Sequence, residues 1–415
     1  MNTIEIEDQL GLTVCNKFAL AIERGAGSYV WDEQGRSYLD FSSGWGVTAL
    51  GHGHPVVLKA LQEQAAKIMQ NPNSGFTYSP VRARLLQRMQ QILPGQLRRV
   101  FFANSGAEAN DAAVKLARKV TGRRTVIALS GAFHGRTLST LSLSGGKDNA
   151  ERYLPQVPGN VFAPLGDIEA LRALLNEQVA AVIVEPVQGE GGVRELSAQY
   201  LQAVAALCRA QGALLIADEV QTGFCRTGSF FAVDALGVQP DILTMGKGIA
   251  SGFPFAAFAV TEAVAQGVQK GDHGGTYCGN PLGCAVADAV LEYLLEHNIA
   301  HAVAEKGERL LAALGDLAQS FPETLVEVRG KGLLTALQLQ SDAQVAALTQ
   351  ACLEQGLLVT PTRNAVLRLI PSLLVSEQEI ALALAKLTQA LGVLRQLHAS
   401  QERESAEVGA TVCLR

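Results

Sequence analysis

The chain has 415 residues, of which 48% are hydrophobic and 18% charged, and it carries a net charge of −5. That length exceeds one hydrophobic core and suits two domains, and the low charged fraction implies much buried surface, a subunit interface included. The mild acidity gives no reason to expect nucleic acid, no apolar run approaches the ~18 residues of a membrane span, and the N-terminus MNTIEIEDQL lacks the basic-then-apolar layout of an export signal.

Seven cysteines without CxxC spacing indicate reduced thiols and a cytoplasmic location. Cys278 and Cys284 have no further ligand cluster beside them, so no metal site is expected.

In chain order, GSYVWDEQGRSYLDF (27–41) is hairpin-like. RRVFFAN (98–104) predicts a strand, and EANDAAVKLARKV (108–120) a helix with Ala109, Ala112, Ala113, Leu116, Ala117 and Val120 on one face. RTVIALS (124–130), AAVIVEPV (180–187), ALLIADEV (213–220) and DILTM (241–245) are further strands. SAQYLQAVAALCRAQG (197–212) is a helix closed by glycine. Continuous apolar strands separated by helices imply an α/β fold with a mostly parallel sheet covered on both faces.

From about residue 290, long helices (AVADAVLEYLLEHN, AHAVAEKGERLLAALGDLAQSF) lead to a strand (GKGLLTALQL) and an α+β finish. The expected organisation is a large ligand-binding domain over 51–290 and a smaller α+β domain over 291–399. Segment 1–50 joins the smaller one, and 400–415 is a mobile tail.

Each predicted strand ends in residues unusual for a loop: NSGAEAN, SGAFHGRT, EPVQGEGG, DEVQTG and GKG. Open α/β sheets bind ligands beyond the carboxyl ends of their strands. Ser105-Gly106 before a helix serves equally as an N-cap or as a set of free N–H groups for a phosphate. Asp218 and Glu185 end apolar strands, where a carboxylate needs a cation or a shifted pKa; for Asp218 a buried arginine is the plain alternative.

Lys247 sits between Gly246 and Gly248, which make room for something bulky, and a desolvated lysine has the lowered pKa that Schiff-base chemistry uses. His297 and His301, four apart on a helix, are exposed side chains rather than a metal pair, and His52 and His54 belong to a structural turn. One ligand satisfies the set: pyridoxal 5'-phosphate. It offers a phosphate for the helix at Ser105, an aldehyde for Lys247, a basic ring nitrogen for Asp218 and a flat face for Phe133.

Taken in order, NSGAEAN, FHGRT, EPVQGEGG, DEVQTGFCRTG, MGKG and GGTYCGNPLGCAVA resemble the class III pyridoxal-phosphate-dependent aminotransferases, of fold type I. The likeness is to the acetylornithine, ornithine and 4-aminobutyrate group and spans most of the chain.

The resemblance implies that Lys247 binds the cofactor's aldehyde and Asp218 its ring nitrogen. Val220 and Phe133 lie on either side of the ring. Ser105, Gly106 and Ala107 face the phosphate, Gln221 the phenolic oxygen, and His134 and Glu185 the cofactor's surroundings. Thr276 reaches the phosphate of a neighbouring subunit in a homodimer. Arg368 holds the α-carboxylate of 2-oxoglutarate, Glu190 masks that arginine, and Arg136 meets the substrate's other end. The implied activity is transfer of a terminal amino group to a 2-oxo acid. A racemase, epimerase or aminomutase of the same fold would not need Arg368, and a non-catalytic nucleotide-binding protein would carry a phosphate loop or dinucleotide fingerprint, which is absent.

The sequence departs from the family at Gly246, at Cys225 where glycine is common, at Gly275 where a hydroxyl residue is usual, and at Trp45 where a smaller side chain is typical. Trp45 is expected at the substrate entrance, and the glycines at 189, 191 and 192 are expected to let the Glu190 loop move.

Overall fold

The computed structural model describes residues 1–145 and 152–412, with side chains as far as residue 396. After a helix over Thr3–Leu10, strands β1 (Ile22–Ala26), β2 (Tyr29–Asp32) and β3 (Ser37–Asp40) form an antiparallel meander. The predicted hairpin turns between Asp32 and Arg36, where the Asp32 carboxylate accepts from the Gln34 and Arg36 main-chain N–H groups.

The chain then builds a seven-stranded sheet. Its strands are β4 (Leu97–Ala103), β5 (Thr125–Leu129), β6 (Asn160–Ala163) and β7 (Val179–Val184). A small hairpin of β8 (Val187–Gln188) and β9 (Arg194–Glu195) follows, then β10 (Leu214–Asp218), β11 (Ile242–Met245) and β12 (Ala256–Thr261). The spatial order is β4-β12-β11-β10-β7-β5-β6, with β12 antiparallel to both neighbours and the joins from β11 to β6 parallel. Every residue of β7 and of β11 is buried, the pattern of strands covered on both faces. β6 and β12 carried no clear strand signal in the sequence.

The helix Gly106–Thr121 packs across this sheet. Ser105 caps it by accepting the Glu108 N–H, and Gly122 closes it at φ 69°, a conformation that suits glycine. Ala109, Ala112, Ala113, Leu116 and Ala117 form its buried face, with Val120 at the margin.

Strands β13 (Leu325–Lys331), β14 (Leu334–Leu339), β15 (Leu357–Leu358), β16 (Thr360–Thr362) and β17 (Val366–Leu369) follow the helices Pro281–Glu296 and Ile299–Ser320. They form a sheet in the order β13-β14-β17-β16, while β15 pairs in parallel with β3 and so ties the start of the chain to its end. GKGLLTALQL is not one strand: Gly332, at φ 56°, turns the chain between β13 and β14. The final helix runs from Glu377 to Val412 and takes in most of the segment expected as a tail; residues 413–415 lie outside the described residues.

Candidate active site

The carboxyl ends of β4, β5, β7, β10 and β11 converge on one side of the seven-stranded sheet. β11 delivers Lys247 through an extended Gly246. Lys247 itself has φ 45°, a strained conformation for a non-glycine residue and one that clusters at functional sites. Its Nζ donates to Gln221 Oε1 at 2.7 Å, and Gln221 Nε2 donates to the Trp45 carbonyl at 3.1 Å. Desolvation first, then the Arg368 charge, lowers the Lys247 pKa to about 8.

Gly246 and Gly248 differ from expectation. A Cβ at Gly246 would lie 3.2 Å from Val220 Cγ1, and one at Gly248 would meet Ala49 and Phe224 in ordinary contact. The room beside the lysine is therefore used by the protein's own packing. Val220 also explains Gly106, where a Cβ would approach Val220 Cγ1 to 2.6 Å.

Asp218 ends β10 and is buried. Its Oδ2 lies 2.7 Å from both His134 Nδ1 and Asn110 Nδ2, and its Oδ1 accepts the Val220 N–H at 3.0 Å. The arginine alternative does not hold, since its ion-pair partner among the described residues is His134. Burial alone would lower the His134 pKa, but the bond to Asp218 and the charges of Asp218 and Glu185 turn the shift upward. His134 therefore stands behind Asp218, and its buried Nε2 has no partner among the described residues.

Glu185 Oε2 accepts the Phe133 N–H at 2.9 Å and Oε1 the Gly189 N–H at 3.3 Å, and burial pushes its pKa up to about 7. Ser105 Oγ is engaged as the helix cap, and Ala109 N–H makes the first main-chain bond of the helix. Gly106 and Ala107 thus precede the hydrogen-bond ladder and present donors at the positive helix end.

Arg368, on β17, is fully buried. Its Nη1 donates to Glu190 Oε1 at 2.8 Å, while Nε and Nη2 have no partner among the described residues. Burial, the largest single effect, disfavours the charged form of Glu190, but the charge and hydrogen bond of Arg368, with the charges of Lys247 and Arg363, together outweigh it and hold its carboxyl below the usual range.

Trp45 is 61% exposed, has φ 63° and reaches the cluster through its carbonyl. Arg136 is exposed, with its guanidinium 5.6 Å from the Phe133 ring centroid. Thr276 is not brought to the Lys247 cluster: it is exposed, its carbonyl held by Gln70 Nε2 at 2.5 Å and Ser74 Oγ at 2.6 Å. Gly275 has a local reason, because a Cβ there would sit 2.3 Å from Cys278 Sγ. Cys225 adopts φ 71°, which explains why glycine suits that position.

Sequence reasoning missed several contributors. Asn110 and Thr244 belong to the Asp218 network, with Thr244 Oγ1 2.6 Å from Asn110 Oδ1. A polar residue among the alanines of a buried helix face was the available signal. Arg226 is buried, bonds the Leu333 and Pro371 carbonyls, and has its pKa lowered to about 9 by burial. Among the described residues no group of three or more metal-ligating side chains occurs, and no helix is long and apolar enough to cross a membrane.

These residues fit pyridoxal phosphate. A carboxylate held by hydrogen bonds, an amine of lowered pKa and helix-start N–H groups surround a floor where Gly106 and Gly246 face Val220, with no room for a Cβ at Gly106 and a tight fit for one at Gly246.

Comparison with known proteins agrees. Residues 13–391 match the class-III aminotransferase family. The chain is 41% identical to the acetylornithine aminotransferase of Thermosynechococcus vestitus over 93% of this chain and 96% of that one. It is 40% identical to the [LysW]-aminoadipate semialdehyde transaminase of Deinococcus radiodurans over 94% of this chain and 90% of that one. The ornithine aminotransferase structure from Toxoplasma gondii superposes with a TM-score of 0.90 at 33% identity, covering 95% of each chain. The chain belongs to the class-III aminotransferases, enzymes that work with pyridoxal phosphate.

Proposed function

We propose that this aminotransferase moves the terminal amino group of a small amino acid to 2-oxoglutarate, with N-acetylornithine, ornithine and 4-aminobutyrate as the leading donors. The observation that carries this reading is Arg368. A fully buried guanidinium whose Nε and Nη2 find no partner among the described residues is a costly arrangement unless a ligand completes it. An α-carboxylate is the ligand whose two oxygens match that fork.

Pyridoxal phosphate, when bound, supplies an exchangeable aldehyde and an electron-withdrawing ring. Asp218, oriented by its hydrogen bonds to Asn110 and the Val220 N–H, would face the ring nitrogen and hold a proton there. Lys247, with its pKa near 8, accepts a proton from the substrate carbon and returns it. Gln221 holds the Lys247 amine in place.

A terminal-amine donor brings a neutral methylene to the position where glutamate brings a carboxylate. Glu190 pairs with Arg368 in the first case and leaves it in the second. Arg136 meets the far end of the substrate and Trp45 borders the entrance. Thr276 is assigned to the partner subunit's cofactor phosphate in a homodimer, which accounts for its distance from the Lys247 cluster. The enzyme is read as cytoplasmic.

The test is single-turnover kinetics of each half-reaction. Glu190→Ala should speed the glutamate half-reaction relative to the donor half-reaction, and Arg368→Ala should do the opposite, by a factor on the order of 10–100 for a charge-assisted contact. Equal slowing of both half-reactions in both variants defeats the reading.

A further inference from the structure

The glycines around Glu190 invited the expectation of a mobile loop, yet each is closely packed. A Cβ at Gly189 would lie 2.9 Å from Gln221 Cγ, and one at Gly191 2.6 Å from Gln188 Oε1 and 2.8 Å from the Gly131 carbonyl. Gly192 has φ 100°, and a Cβ there would lie 3.2 Å from Val366 Cγ2 and 3.3 Å from Arg329 Nη2.

The next residue is the unusual one. Val193 has φ 53°, a conformation that β-branched residues almost never adopt. Its side chain is buried with Leu334, Ala336 and Val366 of the smaller sheet. Its carbonyl and that of Gly192 both point at Arg329. Nε donates to Gly192 O at 2.9 Å and to Val193 O at 3.2 Å, and Nη2 donates to Gly192 O at 2.6 Å. Gln338 Oε1, 3.0 Å from Nη2, and Glu327 Oε2, 2.8 Å from Nη1, hold the guanidinium in that plane.

Arg329 and Arg368 occupy one row of the smaller sheet. Arg329 on β13 stands opposite Ala336 on β14, which stands opposite Arg368 on β17. Directly opposed residues share a face, so the two arginines are about two strand spacings, roughly 10 Å, apart on the same side, with only a methyl group between them. One holds the Glu190 side chain and the other holds the main chain two and three residues further on.

We infer that Arg329 is a positioning residue for the Glu190–Arg368 pair. It clamps the main chain at Gly192 and Val193, so that Glu190 leaves Arg368 by rotation of its own side chain and not by displacement of its loop. The strained turn at Val193 is what the clamp and the buried valine side chain together enforce. The inference rests on the proposed masking of Arg368 by Glu190 and adds the residue that keeps Glu190 in register.

The experiment uses the holoenzyme as wild type, Arg329→Gln, Arg329→Lys, Glu190→Ala and the double variant Glu190→Ala/Arg329→Gln. Hydrogen exchange of the peptide spanning 187–195 is measured by mass spectrometry beside the two half-reactions.

Arg329→Gln should speed exchange in that peptide by about tenfold or more, the factor lost with a charge-assisted bond, and leave peptides from β4 to β7 unchanged. It should slow the donor half-reaction more than the glutamate half-reaction, and add nothing to that asymmetry once Glu190 is already alanine. Arg329→Lys, which keeps the charge but not the fork, should fall between wild type and Arg329→Gln. If Arg329→Gln does not fold, Arg329→Lys alone decides by the same exchange and kinetic readouts. Unchanged exchange over 187–195 overturns the clamp whichever way the masking proposal falls. A kinetic effect that persists in full in the Glu190→Ala background shows a general structural role and also overturns it. Absence of asymmetry in Glu190→Ala alone refutes the masking of Arg368 and with it this assignment.

Discussion

Lys247 offers the sharpest test of how the fold prepares its chemistry. Its pKa is lowered from 10.5 to about 8, first by desolvation and next by Arg368, against the opposing charges of Glu190, Asp218 and Glu185. At about pH 7.5 roughly a quarter of such an amine is neutral, compared with roughly one part in a thousand for a lysine in water, so the fold raises the nucleophilic form by about two orders of magnitude. The assay is the initial rate of pyridoxal-phosphate uptake by apo-enzyme, followed by absorbance between about pH 6 and 10. The rate should rise with a midpoint near pH 8. Arg368→Leu removes a charge that lowers the pKa and should move the midpoint up, whereas Glu190→Gln removes one that raises it and should move it down. A midpoint near 10.5, or shifts of opposite sign, would refute the reasoning.

The same shift has a sign in stability. Between pH 8 and 10.5 the unfolded chain holds this proton more tightly than the fold does, so stability rises with pH across that window. Below pH 8 the cost stands in full, at most about 3 kcal/mol. It is smaller to the extent that solvent reaches the partly exposed side chain. Lys247→Met should therefore make the apo-protein more resistant to urea at neutral pH and lose that advantage above pH 10.5. No gain at neutral pH would contradict a desolvated amine.

Asp218→Asn keeps the shape of the side chain but removes the charge that faces His134, and kcat should fall about 10²–10³-fold in enzyme shown to hold cofactor; near-normal kcat would sink the ring-nitrogen assignment. Gly106→Ala places a Cβ 2.6 Å from Val220 Cγ1, so cofactor affinity should drop by more than about tenfold and recover when Val220→Ala is added. Thr276→Ala should weaken cofactor retention in a homodimer without disturbing the exposed site's own fold, and sedimentation showing a fully active monomer would be incompatible with that role.

The sequence by itself determined many of the elements and singled out residues that the fold gathers around Lys247. Apolar runs such as AAVIV and ILTM marked buried strands, because a run without polar residues suits only a strand covered on both faces. Asp218, Glu185 and Lys247 stood out because each ends such a run, where a charge is costly. What the sequence left open were relations between distant segments. That Asp218 meets Asn110, 108 residues away, follows from the packing of the helix Gly106–Thr121 over β10, and that it meets His134, 84 residues away, follows from the sheet order that sets β5 two strands from β10.

Tertiary structure also assigned the glycines. GEGG reads as a flexible loop, but Gln221, Gln188 and Arg329 occupy the space that side chains there would need. Arg329 had no signal of its own: VEVRGKG looks like the charged edge of an exposed strand. Only the register of β13, β14 and β17 puts it in one row with Arg368. Periodicity reports which face of an element is buried, and motifs report what lies adjacent in the chain. Which residues share a row is decided by strand order and register, and those depend on contacts between residues far apart in sequence.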